Sequence, residues 1–150
     1  MTISFVHFPD ALAMALLFGF AAAAGAAEIG QIKVAKGQVA IERQGKAVPA
    51  IVGTRLQTSD VVKTGTDGSV GITIDDDSLL SAGPNSVLSL DRYAFDATTN
   101  QGRFDTSLNK GTLAVISGRI AKQSPDAMTV RTPTAILGVR GTEFVVSAGD

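Results

Sequence analysis

An all-β fold is what this chain of 150 residues predicts, on three observations. Apolar residues recur at every second position in short runs, turn-forming residues separate those runs, and no segment after Glu28 carries a convincing helical stripe. A period of two places alternate side chains on one buried face. The expected architecture is a single domain of many short strands, either a sandwich or a rolled, β-helix-like arrangement, behind an N-terminal helical signal segment.

The first element is the apolar run from Ala11 to Ala26, with Leu12, Met14, Leu16, Leu17, Phe18 and Phe20 ahead of an Ala/Gly-rich stretch. It is short for a membrane span, which needs roughly 20 residues. Small residues at Gly25 and Ala27 suit cleavage before Glu28, with Ala24 and Ala26 as alternative ends. Met1 to Asp10 contain no Lys or Arg, unlike the usual positive start of such a leader, and an uncleaved membrane anchor is the competing reading. The chain therefore divides into residues 1–27, a signal peptide, and residues 28–150, one β domain. Periplasmic or secreted localisation follows, with membrane association only if the leader stays attached.

Within the domain the alternating pairs are Ile32 and Val34, Val39 and Ile41, Val70 with Ile72 and Ile74, Leu88 and Leu90, Leu113 and Val115, Met128 and Val130, and Phe144 and Val146. Turn signals fall between them at Gln44-Gly45, Asp67-Gly68, Gly83-Pro84-Asn85, Asn109-Lys110-Gly111, Ser117-Gly118 and Ser124-Pro125-Asp126. Asp96 to Gly102 reads as a mobile surface loop. Gly111 and Gly118 interrupt the best helical candidate, Thr106 to Lys122. The expected core comprises Val39, Ile41, Val62, Ile72, Ile74, Leu88, Leu90, Leu113, Val115, Val130 and Phe144. Val39 to Val62 and Val70 to Leu90 each suggest a strand-turn-strand unit, but match too loosely for a solenoid repeat.

Composition removes several chemistries. All 13 Lys and Arg lie after Ala27, and without Asp10 they face 13 acids, so the mature domain is formally neutral and lacks the basic excess of a nucleic-acid binder. There is no Cys, hence neither a disulfide framework nor a lipidated cysteine, and the one histidine, His7, lies in the leader. Without His or Cys the domain cannot assemble a Ser-His-Asp triad, a Cys-His pair or an imidazole or thiolate zinc site. No cofactor or metal is expected.

Three constellations remain. Ser107 and Lys110 match the Ser-x-x-Lys spacing of penicillin-interacting enzymes, where a helix brings Lys beside the nucleophile. Here the strand-and-turn context and Gly111 oppose that helix, so no catalytic residue is assigned. Asp75-Asp76-Asp77 offers carboxylates suited to Ca²⁺, but alternation turns Asp76 away from its neighbours and favours a solvated turn. Arg131 and Arg140 are the candidate binding residues, able to hold an anionic ligand or a partner's carboxylate, with cross-strand pairing to an acid as the structural alternative. Tyr93 and Phe95 alternate as a strand face and read as core or its margin.

The run Arg131-Thr132-Pro133-Thr134-Ala135-Ile136-Leu137-Gly138-Val139-Arg140-Gly141-Thr142-Glu143-Phe144 combines β-forming residues with Pro and Gly interruptions that mark a strand start, an edge or a bulge. Upstream stand Lys63-Thr64-Gly65-Thr66-Asp67-Gly68-Ser69-Val70, Asp76-Asp77-Ser78, Gly83-Pro84-Asn85-Ser86 and Lys110-Gly111-Thr112-Leu113. In this order, over about Gln31 to Val146, they resemble the FecR-domain family of bacterial envelope proteins. That family usually has Asp-Gly-Ser where this chain has Asp76-Asp77-Ser78. The resemblance implies a non-catalytic periplasmic sensing or protein-interaction module, linked to envelope signalling or iron-uptake regulation. Its best-known members take a signal from an outer-membrane receptor and relay it through a membrane helix to a sigma-factor-binding region, a relay not expected here. The alternative is a structural envelope protein that scaffolds by strand addition.

Family members commonly continue past the closing motif into further strands, whereas this chain stops six residues after Phe144. The expectation is an unpaired edge from Ala135 to Val146, with Val139, Val145 and Val146 promoting self-association. An envelope protein or receptor is the other expected partner.

Overall fold

The computed structural model describes residues 27–139 and 142–149. The expected leader therefore lies, apart from Ala27, outside the described residues. Strands follow as β1 (Glu28–Lys36), β2 (Val39–Arg43), β3 (Lys46–Val48), β4 (Arg55–Gln57), β5 (Val61–Thr64), β6 (Ser69–Ile74), β7 (Leu79–Ala82), β8 (Val87–Phe95) and β9 (Gly102–Ile116). A helix α1 (Arg119–Gln123) and a 3₁₀ turn (Pro125–Ala127) lead to β10 (Met128–Arg131), β11 (Ile136–Gly138) and β12 (Glu143–Ala148).

The sheet is rolled. Its path runs β3-β2-β5-β8-β9-β7-β6-β1-β4, and the long β9 belongs to both halves. The first half of β9 pairs with β8 on one side and, in parallel, with β10, which carries β11. Its second half pairs antiparallel with β7 and β12. The result is two wings, β3-β2-β5-β8-β9-β10-β11 and β4-β1-β6-β7-β9-β12, folded over one core. The chain crosses between wings from β1 to β2, from β5 to β6, from β7 to β8 and within β9, so the layers stack along a common corner.

Alternation explains the core. Ile72 and Ile74 in β6, Leu88 and Leu90 in β8, and Leu113 and Val115 in β9 are all buried, as are Ile41, Val62 and Val130. Val39 and Phe144 are only partly buried against this cluster, because each sits toward an end of its strand, where fewer layers cover it. Ile29, Ile32, Leu56, Leu80, Phe104, Leu108 and Met128 are among the residues that join them, with Tyr93 packing edge-on against Phe104 at 5.5 Å.

One segment departs from expectation. The stretch after Glu28 does contain a helix, the five-residue α1. It is too short to print a helical stripe on the sequence, and tertiary burial of Ile120 and Ala121 holds it. It spans the open mouth opposite the corner: Ile120 N–H donates to Asp76 of one wing, while the Arg119 guanidinium lies 4.7 Å from the Phe95 ring of the other. Residues 106–116 of the helical candidate belong to β9. The loop 96–101 is the short hairpin connection from β8 to β9, in which the Asp96 carboxylate accepts from Thr98 N–H at 2.8 Å.

Candidate binding surface

The corner carries the sequence motifs. Gly65 N–H donates to Gln38 O at 2.9 Å, and Asn85 N–H donates to Gly65 O at 3.0 Å. The Thr64 hydroxyl donates to Gly83 O at 2.6 Å and accepts from Ser86 N–H at 2.9 Å. Gly83 N–H reaches Thr112 O at 3.0 Å, and Thr112 N–H returns to the Ser86 hydroxyl at 3.1 Å. These contacts bind four successive crossings to one another. Gly111 makes the last crossing at φ +96°, where an added Cβ would lie 2.1 Å from Ser86 Oγ and 2.5 Å from its Cα. The motif glycines and hydroxyls are therefore scaffold.

At the opposite end the Asp75-Asp76-Asp77 cluster separates as alternation requires. Asp76 is fully buried, accepting from Ser78 N–H at 3.0 Å, the Ser78 hydroxyl at 2.9 Å and Ile120 N–H at 3.2 Å. Asp75 and Asp77 point to solvent and pair with Arg55 and Arg119 at 3.2 and 3.1 Å. The turn is not a wholly solvated one, since its middle carboxylate serves the core. Asp77 takes the left-handed backbone at φ 71°, and Ile74 N–H still bonds Ser78 O at 2.8 Å, so the hairpin survives the departure from Asp-Gly-Ser.

A different surface gathers the remaining candidates. Between Leu90 and Arg92, β8 bulges against β9 and turns Asp91 outward. Arg131 stands opposite Ser107 in the parallel β10–β9 pair. Asp91, Arg92, Asp105, Ser107 and Arg131 line a cleft of about 290 Å³. The Ser107 hydroxyl donates to Asp91 Oδ2. Asp105 accepts from the Thr129 hydroxyl at 2.6 Å and from Arg103 Nε at 2.8 Å, with Arg92 Nε at 4.0 Å. Burial alone would raise the Asp105 pKa, but the Thr129 and Arg103 hydrogen bonds and the charges of Arg103 and Arg92 outweigh it, and the carboxyl titrates below its ordinary value.

The structure thus brings together Ser107 and Arg131, which sequence reasoning treated separately. Ser107 and Lys110 lie three positions apart on one strand, without the helical turn that a Ser-x-x-Lys dyad needs, and Ser107 is engaged by Asp91. Cross-strand pairing of Arg131 to an acid is not observed: its partner across the ladder is Ser107, Asp105 stands opposite Thr129 and is held by it and by Arg103, and among the described residues Arg131 has no ion pair. Arg140 lies outside the described residues. Sequence reasoning missed Asp91, Arg92 and Asp105, which only the bulge and the β8–β9–β10 register assemble, and it missed buried Asp60, held by Arg43 at 2.8 Å.

The profile of the FecR protein family matches residues 60–150, from buried Asp60 through the closing motif. The chain belongs to the FecR family. No curated protein and no solved structure matches it. The family is regulatory, acting in signalling with partner proteins, and is typically periplasmic or membrane-associated. Among the described residues of this FecR chain no helix is long and apolar enough to cross a membrane.

Proposed function

We propose that this FecR chain is exported, its residues 1–27 serving as signal peptide and residues 28–150 as the working domain. It acts without catalysis as a periplasmic sensing or protein-interaction module in envelope signalling, with iron uptake as one context inherited from the family. The observation that carries this reading is the Arg131 cleft on a FecR scaffold. A guanidinium without an ion pair among the described residues, flanked by Arg92, presents planar donors suited to a partner's carboxylate. Ser107 and Asp91 offer a hydroxyl and a carboxylate already bonded to each other, which suits recognition better than nucleophilic attack.

Affinity capture from the native envelope tests this proposal. Wild-type protein should retain a defined envelope protein or receptor, and Arg131→Glu should lose it while remaining folded. Equal capture by both chains would remove the cleft from the reading. N-terminal sequencing of native protein should begin near Glu28; full-length protein in the cytoplasm would refute export.

Strand addition is a second reading, favoured by one observation. Among the described residues β11 pairs only with β10 and β12 only with β9, leaving both outer edges without a strand. Of the three valines in that segment, Val139 and Val146 face the core and Val145 alone is exposed, at 65 %, so the expected edge contact reduces to Val145.

A further inference from the structure

We infer that β12 is a homodimerisation edge whose two-fold axis passes between the Val145 residues of two copies, so that β12 pairs antiparallel with β12 of a second copy. The inference rests on the strand-addition reading and names its occupant.

The direction of backbone groups sets the register. Ser117 N–H donates to Thr142 O at 2.9 Å, which extends the β9–β12 register Glu143↔Ile116 by one position. In an antiparallel ladder the bonded pairs alternate, so Phe144, Val146 and Ala148 also point their N–H and C=O groups toward β9. Glu143, Val145 and Ser147 point theirs outward. A second β12 centred on Val145 matches Glu143 with Ser147, Val145 with Val145 and Ser147 with Glu143. Every one of those outward groups then finds a partner in a single register. The two Glu143 carboxylates fall on opposite sides of the axis, each facing a serine, so no like charges are opposed.

Side chains support the same register. On the outer face, Val34, Gly71, Ser81, Ala114 and Val145 lie in one cross-strand row over β1, β6, β7, β9 and β12. Pairing across Val145 continues this uncharged row into the second copy and covers its more exposed valine, Val145 at 65 % against 45 % for Val34. The other free edges are poorer templates. β4 has three residues, and its Arg55 is tied to Glu28 and Asp75; β3 and β11 also have three residues each, whereas β12 offers six with one charge at its start. Isologous pairing of β12 is thus favoured over head-to-tail growth.

The sequence contains no cysteine, so single substitutions report the register cleanly. Directly opposed residues have Cα atoms about 5.5 Å apart, within reach of a disulfide. In protein purified from its native cells, Val145→Cys should cross-link to a covalent dimer under mild oxidation. Ser147→Cys should not, because its copy lies four positions along, roughly 14 Å away. Sedimentation of the wild-type chain should show a concentration-dependent dimer. Val145→Pro should reduce dimerisation at least tenfold with the fold intact by circular dichroism, since only an outward N–H is lost. A wild-type chain that stays monomeric at all concentrations, or a covalent dimer formed by Ser147→Cys but not by Val145→Cys, would overturn the assignment. Envelope capture with Val145→Pro separates the two claims: a partner retained by this variant shows that the interaction reading stands without the β12 dimer, and sedimentation of the wild-type chain decides the dimer alone.

Discussion

At the corner of the stack, turns 37–38, 65–68 and 83–86 and the bend at Gly111 lie against one another through backbone groups and the hydroxyls of Thr64 and Ser86. At the far end, the 75–78 turn and α1 are joined through a buried carboxylate, Asp76, which collects two backbone N–H groups and a hydroxyl. The corner depends on missing side chains, because glycine lets one backbone approach the next. The far end depends on a side chain that is present. Where layers are close and repeated, small residues and backbone groups suffice; where a sheet end must meet a helix, unsatisfied N–H groups accumulate and need a strong acceptor.

The largest effect is expected at the corner. Gly111→Ala meets both a left-handed backbone and the Ser86 atoms, and should cost on the order of 4 kcal/mol, measured by urea unfolding. Gly45→Ala, in open surroundings, should cost less although its φ is also positive. Equal losses would show that φ alone, without layer contact, sets the corner's demand.

At the far end, Asp76→Ala leaves the Ile120 and Ser78 N–H groups without their acceptor and should cost about 3 kcal/mol. Hydrogen exchange should show α1 opening more readily than the corner strands. A loss below roughly 1 kcal/mol would mean that water replaces the carboxylate, and that this end is not sealed as the burial implies.

Asp105, on the wing between the two ends, tests whether a partly solvated carboxylate behaves like Asp76. Its folded-state pKa lies below the unfolded value of about 3.9, so its stabilising contribution is complete above that value and is lost as pH falls through the folded-state pKa. Asp105→Asn should be less stable than wild type at pH 7, and the difference should narrow in acid. A constant difference from pH 7 to pH 2 would assign the effect to packing.

The smallest change is expected from Asp77→Gly. Glycine relieves the left-handed backbone, which costs roughly 1–2 kcal/mol for an ordinary side chain, but increases unfolded-chain freedom and removes the exposed pair with Arg119. The net shift should stay within about 1 kcal/mol by thermal unfolding. A larger loss would make the Arg119 pair part of the far-end seal.

The class of fold, the strand faces and the turns are legible in the sequence alone. Period-two alternation assigned Ile72, Ile74, Leu88, Leu90, Leu113 and Val115 to the core, because side-chain direction along a strand is a local property. The same rule set Asp76 on the face opposite Asp75 and Asp77, whereas its burial, in place of the expected solvated turn, came from packing against α1. The family, too, was legible, since its motifs are turn chemistry at fixed places. Only the tertiary structure decided which strands are neighbours, and with that the candidate site. Asp91, Arg92, Asp105, Ser107 and Arg131 come from three strands, and their meeting depends on a bulge and on the parallel β9–β10 register, neither of which leaves a periodic trace. The helix α1 escaped notice for the same reason: five residues are held by burial of Ile120 between two wings, a force that acts across the fold.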